Sequence, residues 1–378
     1  MASEERMDFS LLLAPLQIDR LVLSNRIVMP PMVTFLAGYD GLVTQAHLEH
    51  YRRSSGPGLI IVEGTAVSPE GRINRHQLGI YSNQQIYGLS QLARSIHSTG
   101  AVAGIQIHHA GAKAFRETRE PKYRRLIGIF MRLGRQQIMI SGLQHIREAF
   151  KNAGRRAVEA GFDIIEIHGA HGYLFSQFLS PLKNWRVDRY GGSIENRQRL
   201  LLEVYKSVSE EVAGRALVTC RLGVADRSSR GLALSDGLSA ASALVKAGAR
   251  LLDISSGIGT PIHVRPAGSR YSGRLHLAHE VKVHLAAKVP VIGCGGIRRP
   301  EFAEQALQEG MADLIAVGKG ILADPAWARK IIEGKPESIV PCRKCRVCFQ
   351  FTDYSKCPAR RQSKAAQKNY DLPNQGSG

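Results

Sequence analysis

The chain has 378 residues, 44% of them hydrophobic, enough to build a full-sized core. No apolar run is long enough for a membrane span, and the charged residues 1–8 carry no apolar stretch with a cleavage site, so a cytoplasmic protein without a secretory signal is expected. The formal net charge of +19 speaks to solubility and partners rather than to fold, and points to an acidic substrate, cofactor or partner protein.

Much of that charge lies in residues 112–137, as Lys113, Arg116, Arg119, Lys122, Arg124, Arg125, Arg132 and Arg135. The stretch lacks periodicity and interleaved aromatics, so nucleic acid is not the expected partner. From the N-terminus onward, eight short apolar runs alternate with helical patterns: residues 26–32, 59–65, 102–108, 163–168, 217–222, 251–255, 289–294 and 313–317. Most are continuous rather than alternating, the mark of strands buried on both faces of a parallel sheet. Amphipathic helices are predicted over 143–160, closed by Gly161, over 195–212, and over 301–308 behind Pro300. Such alternation fits a closed barrel or an open doubly wound sheet. A dinucleotide-binding sheet should carry G-x-G-x-x-G after its first strand, and none is there, so the reading is an α/β, eight-stranded (β/α)8 TIM barrel. It covers residues 1–335 after a short lead-in, with a cysteine-rich extension and polar tail over 336–378.

In a barrel the chemistry sits at the C-terminal ends of the strands, which selects the residues to weigh. The third run ends Gln106-Ile107-His108-His109; the Gln106 amide both donates and accepts, which suits the edge of a heterocycle, while the two histidines are read as loop packing without a role. The fourth ends His168-Gly169-Ala170-His171-Gly172-Tyr173, two imidazoles beside a phenol, which suits hydrogen-bond donation to a ligand oxygen and proton transfer. Taken alone, the pair also leaves a metal site or satisfied loop histidines open. The fifth carries Arg221 in an apolar run, where a guanidinium must be paired, either in a structural ion pair or against an anionic cofactor. The seventh and eighth lead into Gly295-Gly296 and Gly318-Lys319, where backbone N–H groups and a lysine suit a phosphate.

The six cysteines do not form a secreted disulfide framework. Cys220 and Cys294 sit in apolar runs. Cys342, Cys345, Cys348 and Cys357 have the spacing of a four-thiolate site for a [4Fe–4S] cluster or, second, zinc; free thiols are the alternative.

Together these stretches resemble the old yellow enzyme family of FMN-dependent oxidoreductases. The resemblance is carried by EIHGAHGYLFSQFLSPLKNWRVDRYGGSIENR (166–197), LSNRIVMPPM (23–32), LIIVEGTAV (59–67), GIQIHHAG (104–111) and VGKGILADP (317–325). It implies FMN as cofactor, NADH or NADPH as reductant, and an activated alkene as small-molecule substrate. It further implies Pro31, Met32, Val33, Gly64, Gln106 and Arg221 around the flavin and Gly295, Gly296, Gly318 and Lys319 around its phosphate. His168 and His171 would hold the substrate's activating oxygen, Tyr173 would give the proton, and Phe35 would line the substrate pocket. Relatives such as dienoyl-CoA reductases and trimethylamine dehydrogenase place a [4Fe–4S] cluster just after the barrel. That implies a second reading: a flavin and iron–sulfur subunit fed by an acidic redox partner and reducing a CoA-thioester or carboxylate enoyl substrate. Self-association through barrel helices is a further expectation. The chain departs from the family pattern at Lys319 and Ala112, where arginine is usual, at Val33, where threonine or cysteine is common (Thr34 follows), and at Phe35, where tyrosine is common.

Overall fold

The structure is a computed structural model that describes residues 8–114, 140–261, 264–345, 347–349 and 356–361. Eight parallel strands close into one barrel: β1 (Ile27–Met29), β2 (Leu59–Ala66), β3 (Val102–His108), β4 (Ile164–Gly169), β5 (Leu217–Gly223), β6 (Leu252–Ser255), β7 (Val291–Cys294) and β8 (Leu314–Ala316). Each strand pairs with its sequence neighbour, and β8 returns to β1 through Ile315↔Ile27 and Ala316↔Val28. All eight lie within the predicted runs or overlap them, with ends shifted by a few residues. β1 stops early because Pro30 and Pro31 have no N–H to give the ladder. The predicted helix over 195–212 is two pieces, Ile194–Arg197 and Arg199–Val212, with Gln198 between them. The helix predicted over 143–160 runs Ile140–Glu159 before Gly161, at φ 88. Most of the basic stretch 112–137 lies outside the described residues.

Successive side chains of a strand face opposite sides, so each stave feeds two cores. Ile60, Val62, Ile105, Ile107, Ile165, Ile167 and Cys220 face outward and pack on the surrounding helices. Leu59, Ile61, Ile164, Leu217, Leu251, Ile292 and Leu314 face inward and fill the lower barrel. The antiparallel hairpin of Leu16–Ile18 and Leu21–Leu23 supplies Ile18 and Leu23 to that inner cluster and closes the N-terminal end. Further along the same inward face the residues become polar: Glu63 above Ile61, Glu166 and His168 above Ile164, Arg221 above Leu217 and Thr219. The interior thus grades from apolar at the bottom to ionisable at the top, which forces the chemistry to one end.

Helix Leu234–Lys246 shows how tightly the outer layer sits. A Cβ at Gly237 would overlap the carbonyl oxygen of Val224, at the end of β5. Alanine favours a helix over glycine by at most about 1 kcal/mol, whereas forcing a methyl into closed packing costs about 1–3 kcal/mol. Gly237→Ala should therefore lower the unfolding temperature, as read by circular dichroism; a rise would mean that the helix slides away from β5 without loss.

Candidate active site

At the C-terminal end of the strands a cavity of about 260 Å³ opens to solvent. Its lining brings together Pro31, Met32, Val33, Gly64, Gln106, His168, His171, Tyr173, Arg221 and Lys319 from six of the strands or the loops that follow them. All ten were singled out in the sequence. Thr34, Ile73, Gln77, His108, Leu322 and Cys348 complete it. His108, read in the sequence as loop packing, is thus corrected to a cavity residue: two positions past Gln106 on β3, it shares Gln106's inward face.

Arg221 anchors the floor. Its Nε stands 3.2 Å from Asp253 Oδ2, an ion pair not aligned as a hydrogen bond, and its Nη2 lies 3.7 Å from Cys294 Sγ. Register places His168, Arg221 and Asp253 side by side on β4, β5 and β6. Gln106 Nε2 donates to Glu166 Oε1 at 2.7 Å, so the amide is oriented with its oxygen free of that contact. Burial raises both carboxyls, Glu166 well above the usual range and Asp253 to about 6, although Arg221 pulls each back down. Two buried carboxyls facing one guanidinium hold a proton between them, on Glu166. Burial alone would discharge Arg221, but Asp253, Cys294 and Glu166 outweigh it and keep the guanidinium charged.

The imidazoles are neutral. Burial pushes His168 and His171 well below the ordinary histidine value, and neighbouring positive charge adds to it: Arg221 and Lys113 on both, Arg274 on His171. His171, at φ 60, is fixed by its N–H to Ser256 O at 3.0 Å. Its Nε2 lies 2.7 Å from Ser255 Oγ, and Cys294 Sγ lies 3.8 Å from the same hydroxyl. If the thiol donates to Ser255 and Ser255 donates to Nε2, then Nδ1 carries the N–H of His171. Tyr173 precedes helix Leu174–Leu179, and burial raises its phenol, so the hydroxyl stays protonated. Lys113 donates to His171 O at 2.8 Å and stands 5.0 Å from the centre of the Tyr173 ring.

Four expected residues do not reach the cavity lining. Phe35 takes φ 54 and is turned off it, because Thr34 is tied back: its N–H donates to Glu63 Oε2 at 2.8 Å and its hydroxyl to Glu63 Oε1 at 2.5 Å. The Thr34 hydroxyl is therefore committed to Glu63. Gly295 and Gly296, at φ 125 and 80, form the turn after β7, with Ser272 Oγ donating to Gly295 O at 2.8 Å. Gly318 opens the six-residue helix Gly318–Ala323 beside Met32. Sequence reasoning missed Arg274. Its Cβ would lie 3.1 Å from one built on Gly295, and its Nη2 donates to Thr260 Oγ1 at 2.7 Å. The start of its side chain thus packs on the glycine turn, while its guanidinium donates to Ser256 and Thr260 after the end of β6.

The four extension cysteines line one second, small cavity of about 20 Å³, with Lys319, Leu322 and Ala323. Lys319, Leu322 and Cys348 belong to both cavities, so the extension forms part of the main cavity's wall. Among the described residues no three His, Cys, Asp or Glu side chains converge closely enough to hold a metal ion.

The model of the NADH:flavin oxidoreductase / NADH oxidase family matches residues 11–338. The chain belongs to this family. It is 39% identical over 340 residues to an NADH oxidase of Thermoanaerobacter brockii, covering 88% of this chain and 52% of that one. It is 38% identical over 325 residues to an NADPH dehydrogenase of Bacillus subtilis (strain 168), covering 84% and 93%. It therefore spans about half the length of the first relative and most of the second. Among solved structures, 2-naphthoyl-CoA reductase superposes with a TM-score of 0.78 at 25% identity, covering 90% of this chain and 54% of that one. Morphinone reductase superposes at 0.69 with 25% identity, covering 87% and 91%. Among the described residues no helix is long and apolar enough to cross a membrane.

The buried histidines make stability depend on pH. Burial pushes His47 and His109 down to about 4, and His50 and His108 to about 3, from 6.5. The unfolded chain takes up protons that the folded chain refuses, so this contribution is full above pH 6.5 and is lost as pH falls towards these values. Glu63, raised by burial to about 7, and Asp253, raised to about 6, act the other way: their contribution is full in acid and is lost as pH rises through those values. Four groups outweigh two, so the unfolding temperature should fall from pH 7 to pH 5. A rise over that interval in calorimetry would show the carboxyls dominating.

Proposed function

We propose that this chain is an FMN-dependent NAD(P)H oxidoreductase that reduces activated C=C bonds. The observation that carries the reading is the convergence of two neutral imidazoles and a protonated phenol above Gln106 and Arg221 in one cavity. The residues fit the cofactor: Gln106 offers an amide edge, Arg221 a buried charge with a face to the cavity, and Lys319 a positive charge on the cavity wall. When bound, FMN would accept a hydride from NAD(P)H and deliver one to the alkene.

The chain's own part is binding, orientation and one proton. Arg221 offsets negative charge at the edge it faces, and the Glu166–Asp253 pair holds it in place. His168 and His171 donate to the activating oxygen of the substrate, favouring charge that grows there as the carbon accepts hydride. Neutral imidazoles serve this as donors without carrying a net charge into a site that already holds Arg221 and Lys113. Tyr173 gives its hydroxyl proton to the neighbouring carbon, and solvent at the open side returns it. One hydride and one proton thus convert C=C to CH–CH.

Tyr173→Phe should lower alkene reduction by about 10²- to 10⁴-fold while anaerobic bleaching of the flavin by NADPH keeps its wild-type rate. Equal losses in both half reactions, or a purified chain that takes up no FMN, would sink the reading.

The extension supports a second reading: a metal-binding, [4Fe–4S]-bearing or zinc-bearing subunit that draws on an acidic redox partner. Four thiols around one cavity that touches the first favour it. As they stand they do not converge on a metal, and no step is assigned to one. Iron and zinc quantified on anaerobically purified protein decide it. About four irons per chain would follow from the cluster, one zinc from the alternative, and neither metal would leave free thiols.

A further inference from the structure

β3 carries its inward residues to the top of the barrel in two steps, Gln106 and then His108. The His108 backbone is held by the ladder, at the register of Ala66, and by its carbonyl, which accepts from the Val67 N–H at 3.0 Å. Its ring stands edge-on to Tyr173, centroids 4.6 Å apart at 87°, and 5.3 Å from His168. The side chain lines the main cavity, yet neither ring nitrogen has a hydrogen-bond partner among the described residues, and both are shielded from bulk water. Native structures rarely leave a buried imidazole with both its N–H and its lone pair unmatched, because each such group forfeits its hydration. A phenyl ring would fill this place without that loss. The group is also uncharged: burial pushes it down to about 3. A neutral imidazole offers one donor and one acceptor, which suits an uncharged carbonyl or hydroxyl better than a carboxylate.

We infer that His108 is a third substrate-facing imidazole, which hydrogen-bonds a second, uncharged polar group of the substrate beside Tyr173. The inference rests on the reading under Proposed function and narrows its substrate class. The alkenes this site favours carry two polar groups, one held by His168 and His171 and the other by His108, as in ene-diones.

The test compares cyclohexenone, with one carbonyl, and ketoisophorone, with a carbonyl at each side of the double bond. His108→Phe should lower kcat/KM for ketoisophorone on the order of 10- to 100-fold, chiefly through KM, and by about tenfold more than it lowers that for cyclohexenone. His108→Gln keeps a donor and an acceptor and should restore most of the loss. Calorimetry with levodione, the saturated product of ketoisophorone, reads the same contact without turnover: its Kd should rise in His108→Phe and recover in His108→Gln. Parallel losses for both substrates in both variants would reduce His108 to packing, and unchanged constants would refute the contact. Flavin content is measured on each sample. A wild-type chain that binds no flavin defeats the oxidoreductase reading, whereas a flavin-loaded wild type with unselective variants defeats only the assignment of His108.

Discussion

A single guanidinium buried in the middle of a barrel sets most of what surrounds it. Arg221 rises from an apolar stave with only 7% of its surface exposed, so the neighbouring strands must supply most of its partners. Asp253 on β6 and Glu166 on β4 meet that need, but two carboxylates beside one cation would leave an excess negative charge in a dry interior. Glu166 therefore keeps its proton. Glu166 accepts from Gln106 on one oxygen, and the proton keeps the carboxyl pair from carrying two charges beside one cation. Removing one member of such a set typically costs about 3–5 kcal/mol because the rest are left unpaired. The same positive charge then acts upward. Arg221 lies in register with His168 and adds to the burial that discharges both His168 and His171. The ion pair thus fixes the charge of the floor and reinforces a neutrality of the donors above it that burial sets first.

Much of this was legible in the sequence because it is local. A continuous apolar run reads as a doubly buried strand, and eight of them with helices between read as a barrel. The rule that chemistry sits at strand ends then selected Gln106, His168, His171, Tyr173, Arg221 and Lys319, all of which meet in the cavity. What escaped depends on neighbours distant in the chain. Phe35 looked like a pocket residue by its position, but Glu63, 29 residues on, holds Thr34 by both its N–H and its hydroxyl and turns the next side chain away. Arg274 gave no signal at all, since its approach to Gly295 needs the loop after β6 to fold over that after β7. His108 is the one miss that local reasoning would have caught. Strand alternation alone puts it on the same face as Gln106.

The Thr34–Glu63 contact also bears on how the cofactor end is tuned. Val33 stands where a hydroxyl or thiol is common in the family, and Thr34 stands one position along. Thr34 also lines the main cavity, but its hydroxyl is taken by Glu63, itself packed against His47 at 3.7 Å. Burial raises Glu63 to about 7, so its hydrogen-bonding to Thr34 involves a group near its own midpoint at neutral pH. The hydroxyl this chain keeps is spent on shaping the loop after β1 and not on the cavity.

The two cavities have to be considered as one system because they share a wall. Lys319 and Leu322 come from the helix after β8, and Cys348 from the extension. Burial raises the Cys348 thiol, and the Lys319 ammonium pulls it back, so the charge of one residue acts on both sides of the partition. Metal binding at Cys348 would deprotonate a thiol that lines the main cavity and so alter the charge of its wall directly. The same lysine stands where the family more often has an arginine. Lysine is a point charge without the guanidinium fork, and here it lies on the wall shared by both cavities.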